Sequence, residues 1–332
     1  MTTTNHWSLM RERGSLLGLK TLFICYKYGG RYLAILILYP VIFYFFISGK
    51  TSRIASQKYL HKMHQAGYLT QKPSVWMSFS HFLAMGFAAL DKVDVWLNKI
   101  TMTSINHINY AVFEPLLLAN KGALIIGSHL GNLEICRALA NDNTNARFNV
   151  LVFTEHAQKF NDFINSLNGD VKVNLIEVTA MGPDLAIMLQ DKIEQGEYVV
   201  IAGDRTSTTV AGRVIYSDFL GEQAPFSQGP FILAGILQCP VLMMFCLKTN
   251  SPAKQNYNLI FEELSAGVHW SRKTRQIELT KLVNLYAKTL EKYCAQYPLQ
   301  WFNFFDFWQR DGISRNNISP EGVAKTANSS NK

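Results

Sequence analysis

The pattern of apolar residues changes at about residue 121, and this change constrains the fold more than any other feature of the chain. From there on, short apolar runs of strand length alternate with longer stretches that have helical periodicity. This alternation predicts an α/β fold with a partly parallel sheet. The predicted strands are 123–126, 149–153, 171–178, 198–202, 240–248 and 256–264, and the predicted helices are 133–140, 157–168, 183–196, 229–237 and 271–296.

The N-terminal part of the chain is helical in pattern and contains one long uncharged stretch. Residues 51–120 carry aromatic side chains at helical spacing, and residues 32–49 contain no charged side chain. Eighteen residues is the lower limit for a membrane-spanning helix. Because no small-residue cleavage site follows this stretch, we expect a membrane anchor or an interfacial hairpin rather than a signal peptide. A buried helix of a soluble core is the alternative.

Positive charge is concentrated at the N-terminus. Residues 1–90 contain ten Lys or Arg and a single acid, Glu12, whereas the whole chain has a net charge of +8. A basic region next to an apolar stretch favours binding to an anionic membrane surface. No recognisable nucleic-acid-binding motif accompanies the charge, so nucleic acid is not a predicted partner.

The cysteines and histidines show no metal-ligand spacing. The five cysteines form no C-x-x-C pair and lie in apolar contexts, which is typical of buried free thiols in a reducing compartment. We therefore predict neither a metal site nor another cofactor.

One predicted strand ends at a possible general base. After the strand 123–126, His129 precedes a Leu-Gly-Asn turn that ends at Asn132, and Glu134 lies in the first turn of the next predicted helix. A carboxylate that fixes the imidazole tautomer and stabilises the imidazolium is what a general base needs. The H-x4-E spacing is weak by itself, and a histidine beside an unrelated surface glutamate is the alternative.

A second predicted strand ends in a charged pair. The strand 198–202 is followed by Gly203, Asp204 and Arg205. Ligands of α/β sheets gather at the carboxyl ends of strands, so we expect Asp204 and Arg205 on the same rim as His129. The planar fork of an arginine suits a phosphate. A surface Asp-Arg turn is the alternative.

The segment that contains His129 and Glu134 resembles the catalytic block of the glycerolipid acyltransferase superfamily. Many members of this superfamily have an aspartate where this chain has Glu134. The glutamate makes the chain resemble the bacterial lipid A biosynthesis (late) acyltransferase family. Further blocks of the chain resemble this family and occur in the same order as in the family. These blocks are 6–20 with 29–46, 53–60, 219–242 and 297–308. The resemblance therefore covers roughly residues 7–308.

This resemblance implies a membrane-associated O-acyltransferase at the cytoplasmic face of the bacterial inner membrane. The enzyme would move a fatty acyl chain from acyl carrier protein or acyl-CoA to a hydroxyl of lipid A or a related envelope glycolipid. His129 would be the base and Glu134 its orienting partner. Asn132, Asp204 and Arg205 would bind substrate, with Asn132 and nearby backbone N–H groups at the oxyanion.

The charge, the apolar pattern and the polar C-terminal stretch divide the chain into three predicted parts. Residues 1–50 would form a basic membrane-associating segment, residues 51–310 the acyltransferase domain with its catalytic core from about residue 121, and residues 311–332 a disordered tail. One departure concerns Thr154, which stands where the family usually has an arginine, followed here by Glu155 and His156. A lysophospholipid acyltransferase and a catalytically inactive, membrane-bound lipid-binding protein are the alternative functions.

Overall fold

A computed structural model describes residues 16–135, 140, 146–152, 173–178, 182–205, 213–249 and 256–309. Of residues 16–25 and 27 it describes the backbone alone. Within the described ranges, the chain forms seven helices and nine strands, arranged as a mixed α/β structure. The predicted fold class is therefore confirmed. The predicted helix 157–168, residues Thr154 to His156 and the tail 311–332 lie outside the described ranges.

Three helices form the N-terminal layer. They are α1 (Leu16–Ser48), α2 (Lys50–Gln65) and α3 (Val75–Trp96). One face of α1 packs on α3 through side chains spaced four residues apart, which places them on a single helix face; the residues in this contact are Leu38, Ile42 and Phe46 of α1 and Phe82 and Phe87 of α3.

A single glycine bends α1 near its middle. Gly30 has a φ of 68°, in the left-handed region that favours glycine. A Cβ atom at this position would meet no heavy atom within 4 Å, so glycine is favoured here by backbone conformation and not by lack of space. The bend places the following residue, Arg31, against the end of α3.

A seven-stranded sheet forms the centre of the molecule. Its strands are β1 (Ile105–Ile108), β2 (Ala123–Gly127), β3 (Phe148–Val152), β4 (Val173–Glu177), β5 (Tyr198–Ala202), β8 (Val241–Lys248) and β9 (Tyr257–Ser265). The order is β1-β9-β8-β2-β5-β3-β4. All neighbours are parallel except β8 and β9, so β1 and β9 run opposite to the other five strands.

The remaining elements cover the sheet. Strands β6 (Val214–Phe219) and β7 (Glu222–Ser227) form a separate antiparallel hairpin. The helices are α4 (Glu114–Leu118), α5 (Pro183–Glu194), α6 (Gly229–Leu237) and α7 (Arg275–Gln296).

Alternate residues of the central strands enter two different cores. In β2, Leu124 and Ile126 join the core that also contains side chains of α5, α6 and α7, whereas Ala123 and Ile125 join the core on the other face. This alternation follows from the two-residue period of a strand. Because both faces are covered, the central strands read as continuous apolar runs, and this is the pattern that predicted them.

Two parts of the sheet prediction were incomplete. Residues 51–120 were predicted as helical, but β1 lies in this range and extends the sheet beside β9. The β6–β7 hairpin was not predicted either. Its first strand alternates buried and exposed residues around a polar centre, so it lacks the continuous apolar run of the central strands.

Candidate active site

The site forms where two parallel strands end side by side. In the pairing of β2 with β5, Gly127 lies opposite Ala202, so the residues that follow leave the sheet at the same edge. The Gly203 N–H donates a hydrogen bond to the Gly127 carbonyl at 2.9 Å, which extends the pairing by one step. His129 and Asp204 follow directly on the two strands.

Close packing at Gly203 leaves no room for a side chain. A Cβ atom there would lie 2.7 Å from Ile126 Cγ2 and 2.8 Å from Tyr286 Cζ. Tyr286, on α7, donates its hydroxyl to the Gly127 carbonyl at 2.8 Å. This tyrosine therefore fixes the ends of both strands from one side of the sheet.

Asp204 holds His129 at two points. The carboxylate lies 2.7 Å from His129 Nδ1 through Oδ1, and Oδ2 accepts the His129 backbone N–H, also at 2.7 Å. Because the carboxylate accepts at Nδ1, the neutral imidazole carries its proton on Nδ1 and presents the lone pair of Nε2. The His129 side chain is 28% exposed, whereas Asp204 is fully buried.

The C-terminal segment supplies the other partners of Asp204. The Trp301 indole N–H donates to Oδ2 at 2.9 Å, and the Asn303 amide donates to the same oxygen at 3.2 Å and to the Asp204 carbonyl at 3.1 Å. The Asp204 carboxylate thus accepts hydrogen bonds from three residues. Trp301 lies in the block 297–308, which resembles the acyltransferase family in sequence. The sequence alone predicts no role for Trp301 or Asn303.

The environment sets the protonation states of this pair. Burial and the charge of Arg205 lower the pKa of His129 below its ordinary value of 6.5, although Asp204 acts in the opposite direction. Burial raises the pKa of Asp204, but the charge and hydrogen bonds of His129 outweigh it, so this pKa lies below its ordinary value. At neutral pH the pair is therefore a neutral imidazole beside a carboxylate.

Arg205 is half-buried at the edge of the site. Its Cζ atom lies 6.0 Å from the centroid of the Phe305 ring. Its positive charge is, after burial, one of the causes that lower the pKa of His129. The side chain thus adds a permanent positive charge to the edge of the site.

Asn132 and the backbone of the His129 turn are committed to internal hydrogen bonds. The Asn132 amide donates to the Ala88 carbonyl of α3 at 3.1 Å, and its side-chain oxygen accepts the Glu134 N–H at 3.3 Å. The four consecutive N–H groups of residues 129–132 each donate to a protein acceptor; these are Asp204 Oδ2, Ser128 Oγ, the Gln300 carbonyl and the Cys246 carbonyl.

Glu134 lies on a turn of 3-10 helix, Leu133–Ile135, which begins the predicted helix 133–140. Its carboxylate accepts a hydrogen bond from the Trp96 indole at 3.2 Å, at the end of α3. His129 Nδ1 contacts Asp204, which lies 75 residues further along the chain. The sequence predicts Glu134 as the orienting partner instead.

His81 on α3 is a second buried histidine that the sequence did not single out. Its Nε2 lies 2.9 Å from the Trp301 carbonyl and its Nδ1 lies 3.0 Å from Ser56 Oγ. Since a carbonyl only accepts, Nε2 carries the proton and Nδ1 accepts from the serine. Burial lowers the pKa of His81 to about 4. This histidine ties α2 and α3 to the segment that holds Asp204.

The described residues include no group of His, Cys, Asp and Glu that could hold a metal ion. Of the cysteines, Cys239, Cys246 and Cys294 are described, and all three are buried free thiols.

A buried carboxylate and a neutral imidazole thus meet at adjacent strand ends of an α/β core, an arrangement typical of enzymes that use a general base. The family described as Bacterial lipid A biosynthesis acyltransferase matches residues 74–310, and the chain belongs to this family. It is therefore an acyltransferase of lipid A biosynthesis. No curated protein matches the chain.

Proposed function

We propose that the protein is a membrane-associated O-acyltransferase with His129 as its general base. It would transfer a fatty acyl chain from a thioester of acyl carrier protein or CoA to a hydroxyl of a lipid A precursor or a related envelope glycolipid. The observation that carries this proposal is the His129–Asp204 pair, because it presents a neutral, oriented imidazole at the rim of the sheet.

In the proposed reaction, the acceptor hydroxyl gives its proton to His129 Nε2 as its oxygen attacks the thioester carbonyl. The tetrahedral intermediate then expels the thiolate, which takes the proton back from the imidazolium. The products are an oxygen ester and a free thiol. Asp204 stabilises the imidazolium between these two steps, because it stays ionised. A thioester is already activated, so the scheme includes no metal ion.

Arg205 is the group that we assign to the oxyanion. The backbone N–H groups of residues 129–132 donate within the protein, and so does the Asn132 amide. The charge of Arg205 lies close enough to the imidazole to lower the His129 pKa, and an oxyanion would form beside that imidazole. In this scheme Asn132 shapes the turn and does not contact the substrate.

The first helix supports membrane association. Among the described residues, only the stretch Tyr28–Ser48 is long and apolar enough to cross a membrane, and most of it is not buried. Its exposed apolar residues recur three or four positions apart, which places them on one face of α1; they include Tyr28, Tyr32, Leu36, Tyr39, Phe43 and Ile47. With the basic charge of residues 1–90, this face favours the anionic cytoplasmic leaflet of the inner membrane.

The test uses purified protein in lipid vesicles, with acyl carrier protein or CoA thioesters as donors and a lipid A precursor as acceptor. His129→Ala should lower kcat by about 10²–10⁴-fold, the usual contribution of a general base. Activity close to that of the parent would contradict the proposal. Comparison of the two donors identifies the carrier.

Two isosteric variants separate the possible partners of His129. If Asp204 orients the imidazole, Asp204→Asn should lose more activity than Glu134→Gln, because an amide at that position would stabilise the wrong tautomer. If Glu134→Gln loses more, Glu134 is the orienting group in solution, as the sequence suggested. Thermal melts of both variants show whether either loss reflects unfolding.

A further inference from the structure

Two fully buried carboxylates lie at the end of α3. Asp91 and Asp94 are three residues apart and therefore share one face of the helix. Two like charges without access to water are strongly destabilising unless cations and hydrogen bonds compensate them. The groups that compensate these carboxylates come from three other elements of the fold.

Arg31 bridges both carboxylates from the bend in α1. Its Nη2 lies 2.7 Å from Asp91 Oδ1, and its Nη1 contacts Asp94 Oδ2. Tyr26, one turn earlier on α1, donates its hydroxyl to Asp94. At this point α1 therefore contacts α3 through ion pairs and a hydrogen bond to buried carboxylates.

The opposite side of Asp91 belongs to the sheet. The Lys248 ammonium, at the end of β8, and the Tyr257 hydroxyl, at the start of β9, both donate to Asp91 Oδ2. Arg31 of the helical layer and Lys248 of the sheet thus meet on a single carboxylate. We refer to Arg31, Asp91, Asp94, Lys248 and Tyr257 as the buried charge cluster.

The buried charge cluster touches the turn that carries His129. The Asn132 side chain acts on the Tyr257 hydroxyl and opposes the rise in the pKa of Tyr257 that burial and Asp91 cause, so the two groups are neighbours. The Asn132 N–H donates to the Cys246 carbonyl of β8 at 2.9 Å. The Asn132 amide also reaches Ala88, which lies one turn before Asp91 on α3.

Gln300 gives a second route from the cluster to the same turn. Its side chain hydrogen-bonds both the N–H and the carbonyl of Lys248, at 2.9 and 2.8 Å, and its own carbonyl accepts the Gly131 N–H at 2.9 Å. A shift of Lys248 would therefore move Gly131 through Gln300 and Asn132 through the neighbouring backbone of β8.

We propose that Arg31 is a positioning residue for the His129 turn and acts through Asp91, Tyr257 and Lys248. The first helix is then a working part of the catalytic domain in addition to its role at the membrane. This inference rests on the proposed function, because its readout is the acyl transfer that His129 would catalyse.

The experiment compares full-length Arg31→Met and Tyr257→Phe with the parent in lipid vesicles. Arg31→Met removes the charge but keeps most of the length, and Tyr257→Phe removes only the hydroxyl that donates to Asp91 beside Asn132. Lys288→Met is the matched control, because Lys288 is an exposed cation on α7 and lies outside the basic region 1–90. We measure vesicle flotation, thermal melting, and kcat and KM per folded enzyme.

We expect kcat to fall by about ten- to a hundred-fold in both variants, the scale of a displacement of about 1 Å at a reacting group. KM for both substrates and flotation should stay at the parent value, and Lys288→Met should match the parent in every measurement. A purely structural role would lower the melting temperature and leave kcat per folded enzyme unchanged.

Several outcomes would overturn the inference. One is a parental kcat in Tyr257→Phe. A second is a loss in Arg31→Met that accompanies loss of flotation. Arg31→Met could fail to fold because the buried Asp94 carboxylate loses its cation. In that case the double variant Arg31→Met with Asp94→Asn is used, because it also removes the charge of Asp94. A parental kcat in the folded double variant overturns the inference, and a low kcat supports it. His129→Ala is measured in parallel, and if that variant is active the proposed function has failed and not the inference alone.

Discussion

At the scale of single residues, the site combines a histidine whose pKa is lowered with an arginine whose charge contributes to that lowering. Burial and the charge of Arg205 disfavour the imidazolium, so His129 is neutral at neutral pH, as a general base requires. The same cation would stabilise a negative charge on the substrate as it forms. In the proposed reaction, this one side chain would thus act on both the base and the substrate.

This dual effect of Arg205 gives a prediction for the pH profile of kcat/KM. Activity should rise with pH through the pKa of His129, which lies below 6.5 in the parent. Arg205→Gln removes a positive charge that lowers this pKa, so the acid limb should move to higher pH. The plateau should fall by about 10²–10³-fold if Arg205 stabilises the oxyanion.

Arg205→Lys is the companion variant, because it keeps the charge and loses the planar fork. It should leave the acid limb near its parental position. An unmoved limb in Arg205→Gln, with a change confined to KM, would instead describe a phosphate clamp that binds ground state and transition state equally.

Sequence reasoning could name most of the site residues but could not pair them. His129, Asp204 and Arg205 were found because each follows a strong apolar strand. The contact between His129 and Asp204 depends on β2 and β5 being neighbours in the sheet, and β3 and β4 separate them along the chain. Strand order is a property of the whole sheet, so the sequence favoured a partner five residues away over one 75 residues away.

At the scale of elements, α3 and the C-terminal segment act together as the support of the site. Trp301 donates to Asp204 through its indole, and its carbonyl accepts from His81. The Phe302 N–H donates to the His129 carbonyl at 2.9 Å. Tyr59 of α2 packs between His81 and Trp301, with ring centroids 5.6 and 5.0 Å away. The block 53–60 that resembled the family is thus part of this support.

The buried histidine of α3 predicts how stability depends on pH. Because the pKa of His81 is lowered to about 4, the unfolded chain takes up a proton at a higher pH than the folded chain does. The contribution of His81 to the free energy of unfolding is therefore fully present above about pH 6.5. This contribution, about 3 kcal/mol, is lost as the pH falls towards 4.

Urea unfolding at a series of pH values tests this dependence. His81→Gln should be less stable at neutral pH and should lose less stability on acidification than the parent. His107→Gln is the control, because His107 is an exposed histidine on β1. An equal loss in the parent and in His81→Gln would remove His81 as the source.

The elements that the sequence missed share a physical cause. β1 has four residues, of which only Ile105 is buried, so its apolar pattern is too short to separate from the helical stretch around it. Strand β6 packs along α7 and alternates buried with exposed residues, so it presents one face to the core. Short or one-sided strands gain their stability from neighbours that are distant in sequence, and a local pattern does not contain those neighbours.

At the scale of the whole molecule, α3 joins the apolar face to the reactive rim. Near its start, the ring of the exposed Trp76 lies 6.2 Å from that of Phe79, and Phe79 lies 6.0 Å from Phe43 of α1. At its other end, Trp96 contacts the turn of Glu134. The uncharged stretch 32–49 was predicted as an anchor or an interfacial hairpin; it forms half of α1, with one side packed on α3 and the other exposed.

The exposed face of α1 yields a prediction about membrane binding that is separate from catalysis. Leu36 and Tyr44 are 70% and 66% exposed, so Leu36→Glu and Tyr44→Glu should fold normally. Each should weaken flotation with vesicles that contain anionic lipid, because a carboxylate on this face opposes both apolar burial and the negative surface potential. Leu118→Glu is the matched control, since Leu118 is 81% exposed on α4 and does not belong to the α1 face. Flotation equal to the parent in both α1 variants, or an equal loss in Leu118→Glu, would show that this face is not the membrane contact.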